Sequence, residues 1–217
     1  SGTCIFDPND KKSVFMPFNT KILGLLAVLV IALSSCGGNN NQQEQTSDAK
    51  NPDLKAIDDP HTYAKPGEAA IQHLDLNIDV NFKEETISGT AAYRIAKAED
   101  ADTLYLDTRN LNIQEVALGE DGQTSTDYRL GQKRKHMGRP LAIALKPETK
   151  HVQIQYKTSP QAAALQWLDP NQTKGGDKPY LFTQSQAILA RSWIPIQDGP
   201  GIRFTYDAKV EVPKGLM

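Results

Sequence analysis

Two side chains near the end of the chain, Gln184 and Gln186, offer the groups that recognise a peptide. Residues 182–188 predict a β-strand, in which side chains two positions apart lie on the same face. The two glutamines would then point in one direction. Neutral amides provide both carbonyl acceptors and N–H donors, which suits a peptide backbone or an α-ammonium group. The alternative interpretation is an exposed polar strand face without a ligand.

The histidines and cysteines indicate neither a metal site nor a disulfide framework. The four histidines are His61, His73, His136 and His151, and no two have the i, i+4 spacing of a helical zinc site. Two cysteines, Cys4 and Cys36, are too few for a disulfide-rich scaffold. We therefore predict no metal ligand in this chain.

The second cysteine follows an apolar run that resembles a secretion signal. Residues 22–33 (ILGLLAVLVIAL) are too short to cross a bilayer, which takes about 20 apolar residues, but have the length of a signal-peptide core. The Leu-Ser-Ser-Cys sequence ending at Cys36 resembles the bacterial lipobox, in which the leader is cut before a lipidated cysteine. We expect lipidation at Cys36 and a lipoprotein anchored in the bacterial cell envelope, on the periplasmic or outer-membrane side. The alternative is an ordinary secretory leader with an incidental cysteine.

These signals divide the chain into four predicted segments. Residues 1–15 precede Met16, the expected start, and are interpreted as an upstream non-native extension. Residues 16–35 are the expected signal peptide. Residues 36–65 are rich in Gly, Asn, Gln, Ser and charge, which predicts a flexible, disordered linker. Residues 66–217 form the expected folded domain.

Strict alternation of apolar and polar residues marks the start of this domain. The apolar side chains are those of Leu74, Leu76, Ile78, Val80 and Phe82. This period of two predicts a half-buried strand, which pairs as a hairpin with a second strand over 86–95. Further strands are expected over 103–107, 111–118, 141–145, 152–156 and 204–212. Short strands about every ten residues, without a helical segment, predict an all-β antiparallel sandwich or barrel.

Composition excludes one class of partner. The 217 residues carry 24 Lys and Arg against 26 Asp and Glu, a formal net charge of -2. A nucleic-acid-binding protein needs a basic face, so we predict no nucleic-acid partner. A local basic cluster, QKRKHMGR at 132–139, is interpreted as a solvated loop in preference to a ligand site.

Several longer runs resemble a known family. They include ALQWL at 164–168, PYLF at 179–182 followed by Gln184 and Gln186, and the Gln197-Asp198 pair before Pro200. Together they are similar to the end of the N-terminal domain of leukotriene A(4) hydrolase-like enzymes, in the aminopeptidase N family of zinc peptidases. The resemblance extends back through 106–108 to the strand at 73–82 and so covers roughly residues 70–217.

The resemblance implies a saddle-shaped all-β N-terminal domain, with antiparallel or mixed sheets, that caps a separate thermolysin-like catalytic domain. It implies that the segment from Gln184 to Gln186 lines the substrate cleft, and that Gln186 helps to hold the N-terminal residue of a peptide. Ala187 would line the same wall. Ser185 departs from the family pattern, where the mammalian enzyme has a cysteine, but this leaves the neighbouring amides in place.

The zinc chemistry of the family lies outside this sequence. HExxH, its downstream Glu and the Gly-x-Met-Glu-Asn loop are not found in the 217 residues. We therefore expect a truncated product that has no cofactor of its own, whose partners are a peptide substrate and the absent zinc-binding catalytic domain, and that is inactive alone. The alternative is a standalone, non-catalytic β-sandwich lipoprotein that binds peptide or another envelope ligand.

Overall fold

The computed structural model describes residues 54–216. The predicted segments over 1–15 and 16–35, with Cys4 and Cys36, lie outside the described residues. The described part confirms the all-β prediction. Its eleven strands are β1 (Ala69–Asn81), β2 (Thr86–Lys97), β3 (Thr103–Thr108), β4 (Asn112–Leu118), β5 (Thr124–Ser125), β6 (Tyr128–Leu130), β7 (Arg139–Ala144), β8 (His151–Lys157), β9 (Leu165–Leu168), β10 (Tyr180–Thr183) and β11 (Thr205–Glu211). Two short 3-10 helices are Pro170–Gln172 and Ala190–Ser192.

The strands form three sheets. A six-stranded sheet has the order β11-β1-β2-β8-β4-β5, a three-stranded sheet the order β3-β7-β6, and β9 and β10 form a separate hairpin. The predicted β1-β2 hairpin is confirmed, with Asn81 opposite Thr86. Its turn is closed by Asn81, whose side-chain oxygen accepts the N–H groups of Lys83 and Glu84, each at 3.0 Å.

The two larger sheets share one hydrophobic core. Apolar residues that alternate along β1, β2, β4 and β8 face the same way because successive strand residues point to opposite faces. The three-stranded sheet adds Leu104, Leu106, Leu141 and Ile143, each 0% exposed. Two tyrosines, Tyr93 and Tyr156, complete the core.

The last strand differs from its prediction. The alternating residues 204–212 predict a half-buried strand, yet every residue of β11 except Glu211 is exposed. Tyr206 is 69% and Val210 39% exposed. β11 pairs in parallel with β1 at the edge of the sheet, with His73 opposite Thr205. Alternation along an edge strand therefore does not correspond to a buried face here.

A buried glutamine connects β1 to the segment after β10. The pairing of β1 with β2 is irregular between Ile71 and His73. The side-chain oxygen of Gln197 accepts the N–H of Ile71 at 3.0 Å, and its amide nitrogen donates to the Ala69 carbonyl at 2.8 Å. Gln197 is 2% exposed, so its amide satisfies backbone groups that the sheet leaves unpaired.

The folded domain begins before the predicted boundary at residue 66. The Thr62 hydroxyl donates to Asp107 at 2.5 Å, and the Tyr63 N–H donates to the same carboxylate at 2.8 Å. Ala64 is buried. The end of the predicted linker is therefore packed, because its backbone and hydroxyl groups satisfy a buried acid. Between residues 54 and 216, no helix has the length and apolar content needed to cross a membrane.

Candidate functional site

The two glutamines lie in a turn at the end of the β9-β10 hairpin. The strand predicted over 182–188 is wrong, because β10 ends at Thr183, opposite Leu165. One further ladder bond follows, from the Gln184 N–H to the Ala164 carbonyl at 2.8 Å. Gln184 and Gln186 are brought together, but by a turn and not by a shared strand face.

The Gln184 side chain closes this turn. Its carbonyl oxygen accepts the N–H of Gln186 at 3.0 Å, as the short side chains of Asn and Asp do in turns. The carbonyl of Ser185 accepts the N–H of Leu189 at 2.8 Å. Both hydrogen bonds form only when the backbone turns. They are therefore the local reason why the chain leaves the extended conformation after Thr183.

The turn is braced by the 3-10 helix that follows it. The Ala164 N–H donates to the Ser192 hydroxyl at 2.9 Å, and that hydroxyl donates to the Leu189 carbonyl at 2.7 Å. The indole N–H of Trp193 donates to the Ser185 hydroxyl at 3.0 Å. Ser192 is 0% exposed, so one buried hydroxyl connects the hairpin to the end of the turn.

The predicted site residues differ in their solvent exposure and in whether their side chains are free to bind a ligand. Gln184, Gln186 and Ala187 are exposed, while Ser185 is half-buried. One acceptor of Gln184 is engaged by the turn, and the Ser185 hydroxyl is engaged by Trp193. The Gln186 side chain has no hydrogen bond within residues 54–216. Its amide can therefore accept from an ammonium group and donate to a carbonyl at the same time.

A buried ionic cluster is centred on Arg191, in the 3-10 helix that follows the turn. Arg191 donates through Nε to Asp198 at 3.0 Å and through Nη2 to the carbonyls of His61 and Asp198 at 2.9 and 2.8 Å. Its Nη1 lies 3.3 Å from Asp107 and donates to the Met137 carbonyl at 3.2 Å. One guanidinium thus joins β3, the segment before β1 and the 3-10 helix.

The two acids of this cluster are held by further donors. Asp107 also accepts the N–H of Asp198 at 2.9 Å. Burial raises the pKa of Asp198, although the hydrogen bonds and charge of Arg191 act in the opposite direction. The cluster is saturated by protein groups, so we assign it to structure and not to chemistry.

One group of side chains has metal-ligand atoms close together. His73 Nε2 lies 3.3 Å from Asp75 and 3.4 Å from Asp207, and its Nδ1 lies 2.7 Å from the Thr205 hydroxyl. The two carboxylates are 67% and 84% exposed. A single histidine with two solvated carboxylates does not fit the two histidines and glutamate of an HExxH zinc site. We describe it as a polar contact that joins β1 to β11.

Sequence analysis missed the residues that support the turn. Ser192, Trp193 and Arg191 are not among the predicted site residues, and Asp107 is predicted only as the end of a strand and as part of the family resemblance. A charged residue inside the apolar run ILARSWIPI at 188–196 is the signal that could have identified Arg191, because a charge in such a run must be buried with partners.

Comparison with known proteins places this geometry in a family. Residues 70–217 match the peptidase M1 N-terminal domain. The chain is 39% identical over 165 residues to leukotriene A-4 hydrolase of Xenopus laevis, covering 73% of this chain and 27% of the relative. It is 36% identical over 176 residues to leucine aminopeptidase 2 of Saccharomyces cerevisiae, covering 78% of this chain and 25% of the relative.

Solved structures of M1 family proteins are similar to this chain as well. Yeast leukotriene A4 hydrolase in complex with bestatin has a TM-score of 0.67 at 36% identity, covering 76% of this chain and 26% of that chain. An M1 zinc metallopeptidase of Deinococcus radiodurans, at 18% identity and a TM-score of 0.51, shares the fold over 69% of this chain and 34% of its own. The chain spans about a quarter of the length of the curated relatives it matches.

The predicted location in the bacterial envelope is contradicted by these comparisons. The matched relatives are proteins of Xenopus laevis and Saccharomyces cerevisiae, organisms that have no bacterial envelope. The lipoprotein prediction depended on a match of four residues after a short apolar run, whereas the similarity that contradicts it extends over 165 residues. A short apolar run before small residues and a cysteine is too little information to assign a compartment.

Proposed function

Because the chain belongs to the peptidase M1 N-terminal domain family, we propose that it forms the substrate-cleft domain of a zinc-dependent aminopeptidase. The longer protein would remove single residues from the N-termini of peptides. The 36–39% identity to a leukotriene A-4 hydrolase and a leucine aminopeptidase supports this proposal. The zinc ligands would come from the part of the longer protein that corresponds to the remaining length of these relatives.

The unengaged amide of Gln186 is the observation that carries the proposal. The exposed turn presents this amide in a fixed backbone setting, since the N–H of Gln186 is held by Gln184 at 3.0 Å. In the proposed cleft, Gln186 accepts from the α-ammonium group of the peptide and donates to its first carbonyl. Gln184 then acts by fixing the turn, while Ser185 and Ala187 form the adjoining wall.

This division of labour separates binding from hydrolysis. The chain supplies orientation of the peptide N-terminus, and the zinc-binding domain, its intramolecular partner, supplies the activated water. Bound zinc would provide Lewis-acid chemistry, but no described residue fits its coordination set. We therefore propose that residues 1–217 alone are inactive as a peptidase.

The test is the variant Gln186→Ala in the longer protein, with a dipeptide amide as substrate. Losing one hydrogen bond to a charged group costs about 1.5–3 kcal/mol, so kcat/KM should fall roughly ten- to a hundredfold. The matched control is Gln123→Ala, at an exposed glutamine far along the chain from the turn. Equal kcat/KM in Gln186→Ala and Gln123→Ala would contradict the proposed contact.

A second measurement tests the division of labour. The 217-residue chain is incubated with zinc and the same substrate, and release of the N-terminal residue is followed. We expect no turnover above the rate without protein. Zinc-dependent turnover that is abolished by a chelator would show that the chain carries its own catalytic centre.

A further inference from the structure

The edge of the three-stranded sheet has open hydrogen-bonding groups. Strand β6 pairs with β7 on one side only. The Gly131 N–H donates to the Pro140 carbonyl at 2.9 Å, and the Ala144 N–H donates to the Asp127 carbonyl at 2.9 Å. In an antiparallel pair, bonded and non-bonded residues alternate. The N–H and C=O groups of Tyr128 and Leu130 therefore point away from β7, toward solvent.

The same edge has only part of the protection that usually blocks strand addition. Natural edge strands are protected by short length, charged side chains, proline, a bulge or a covering element. β6 is three residues long and carries Arg129, but it has neither proline nor a bulge. All three residues of β6 are exposed, and Tyr128 and Leu130 are each 39% exposed. The register of β6 with β7 is regular from Tyr128 to Leu130. β4 contacts the start of this edge, where the Thr126 N–H donates to the Val116 carbonyl and the Tyr128 hydroxyl donates to the Ile113 carbonyl, both at 3.3 Å. An extended peptide can pair with the open backbone groups that lie beyond this contact.

The segment that contains this edge has a strong positive charge. From residue 128 to residue 147 there is no Asp or Glu, and the preceding acid is Asp127. The cations in this segment are Arg129, Lys133, Arg134, Lys135, Arg139 and Lys146. None of the six forms an ion pair within residues 54–216. Lys133 and Arg139 donate only to neutral oxygens, those of Asn110 and Gly131, both at 3.1 Å.

A groove runs beside the edge on one face of the sheet. Ala142 lies opposite Tyr105 on one neighbouring strand and opposite Arg129 on the other, so three side chains form a row across the sheet. These three residues and Arg139 are among those that line a groove of about 400 Å³. Side chains of an added strand would project over this groove, because alternate residues of a strand point to the same face.

We propose that the β6 edge and its basic segment bind an extended, Asp/Glu-rich segment of a partner protein as a fourth strand of this sheet. Main-chain bonds to Tyr128 and Leu130 supply affinity, as in other cases of strand addition. Carboxylates on alternate positions approach Arg129 and Arg139, and the flanking lysines speed association. The open backbone groups favour a peptide over a lipid surface or a nucleic acid, since neither of those forms a β-ladder.

The test uses the full 217-residue chain and a fluorescent heptapeptide that alternates Glu and Val, with binding followed by anisotropy at low salt. We expect saturable binding that weakens at least tenfold with a peptide in which Lys replaces Glu. N-methylation of the alternate amides that face the protein should weaken binding to a similar degree. This last change leaves the protein unaltered, so its result does not depend on the folding of a variant.

Two variants test the protein side. The charge reversal R129E/R139E should weaken binding at least tenfold, whereas the control K174E/K178E, in an exposed loop, should leave it unchanged. Leu130→Pro removes an N–H that points to solvent and should also weaken binding. Four results would overturn the proposal. They are no binding of the acidic peptide, equal binding of its N-methylated form, and equal or tighter binding of phosphatidylserine vesicles or of single-stranded DNA.

Discussion

The guanidinium of Arg191 lies 3.3 Å from the carboxylate of Asp107, and both side chains are fully buried. The pair connects two distant parts of the chain, and Asp198 and the carbonyls of His61 and Met137 saturate the remaining donors. Taking a charge out of water is costly unless it is paired and hydrogen-bonded. The site turn therefore depends on an ionic cluster whose members must all be present.

We predict that Arg191→Ala strongly destabilises the domain. Two acids would remain in a buried site without their cation, which typically costs about 3–5 kcal/mol. The free energy of unfolding, measured with urea, should fall by this amount. The control is Lys157→Ala, which breaks the solvent-exposed pair with Glu84 at 2.6 Å and should cost far less, because solvent screens this pair. Similar losses in both variants would contradict the importance of burial.

Two buried tyrosines are predicted to respond in opposite directions to the same substitution. Tyr93 donates to the Pro195 carbonyl, whereas the Tyr156 hydroxyl is buried without a hydrogen-bond partner in the described part of the chain. Tyr93→Phe leaves a buried acceptor unpaired and should destabilise the domain by about 1–3 kcal/mol. Tyr156→Phe removes an unsatisfied group and should be neutral or stabilising. Chemical denaturation of both variants checks this, and a loss in Tyr156→Phe as large as that in Tyr93→Phe would refute it.

Stability is predicted to decrease at alkaline pH. Burial raises the pKa of Tyr93 and Tyr156 above the ordinary value of 10.0. The folded state then retains protons that the unfolded state releases, so the stabilisation is complete below about pH 10 and is lost as pH rises further. Denaturation midpoints should be equal at about pH 8 and 9 and lower at about pH 11. Early ionisation of all seven tyrosines, seen by tyrosinate absorbance in the folded protein, would contradict this.

The hydrogen bonds of the Ser192 hydroxyl are predicted to control local opening of the hairpin and the turn after it. Ser192→Ala removes the hydroxyl that accepts from Ala164 at 2.9 Å and donates to Leu189 at 2.7 Å. Hydrogen exchange of the Ala164 and Gln184 amides should accelerate while exchange in β2 and β8 changes less. Ser125→Ala, at an exposed serine whose hydroxyl has no hydrogen bond within residues 54–216, is the control. Uniform acceleration over the whole sheet would mean that Ser192 supports global stability only.

The comparison of sequence with structure shows where pattern analysis succeeds. The alternation in β1 predicted a strand correctly because one face of that strand is buried by a shared core. The similar alternation at 204–212 located a strand correctly but misplaced its environment, since β11 lies at an edge. The alternation of apolar and polar residues predicts a strand well, but it predicts a buried face only when another layer covers that strand.

The site itself was predicted by resemblance more than by pattern. Gln184 and Gln186 are adjacent in the structure, but the turn that joins them depends on a side-chain bond to the backbone and on Ser192. Neither contact has a sequence signature. The Arg191–Asp107 pair is also formed between distant residues, which no local pattern can show.

The parallel pairing of β11 with β1 has a consequence for how the protein is made. His73 and Thr205 are hydrogen-bonded across 132 positions of sequence. During translation, β1 leaves the ribosome well before β11 is synthesised, so one edge of β1 stays unpaired until residue 211 has emerged. Contacts of such high sequence separation form slowly. An unpaired strand edge can pair with another chain, so nascent chains are expected to be prone to aggregation during this interval.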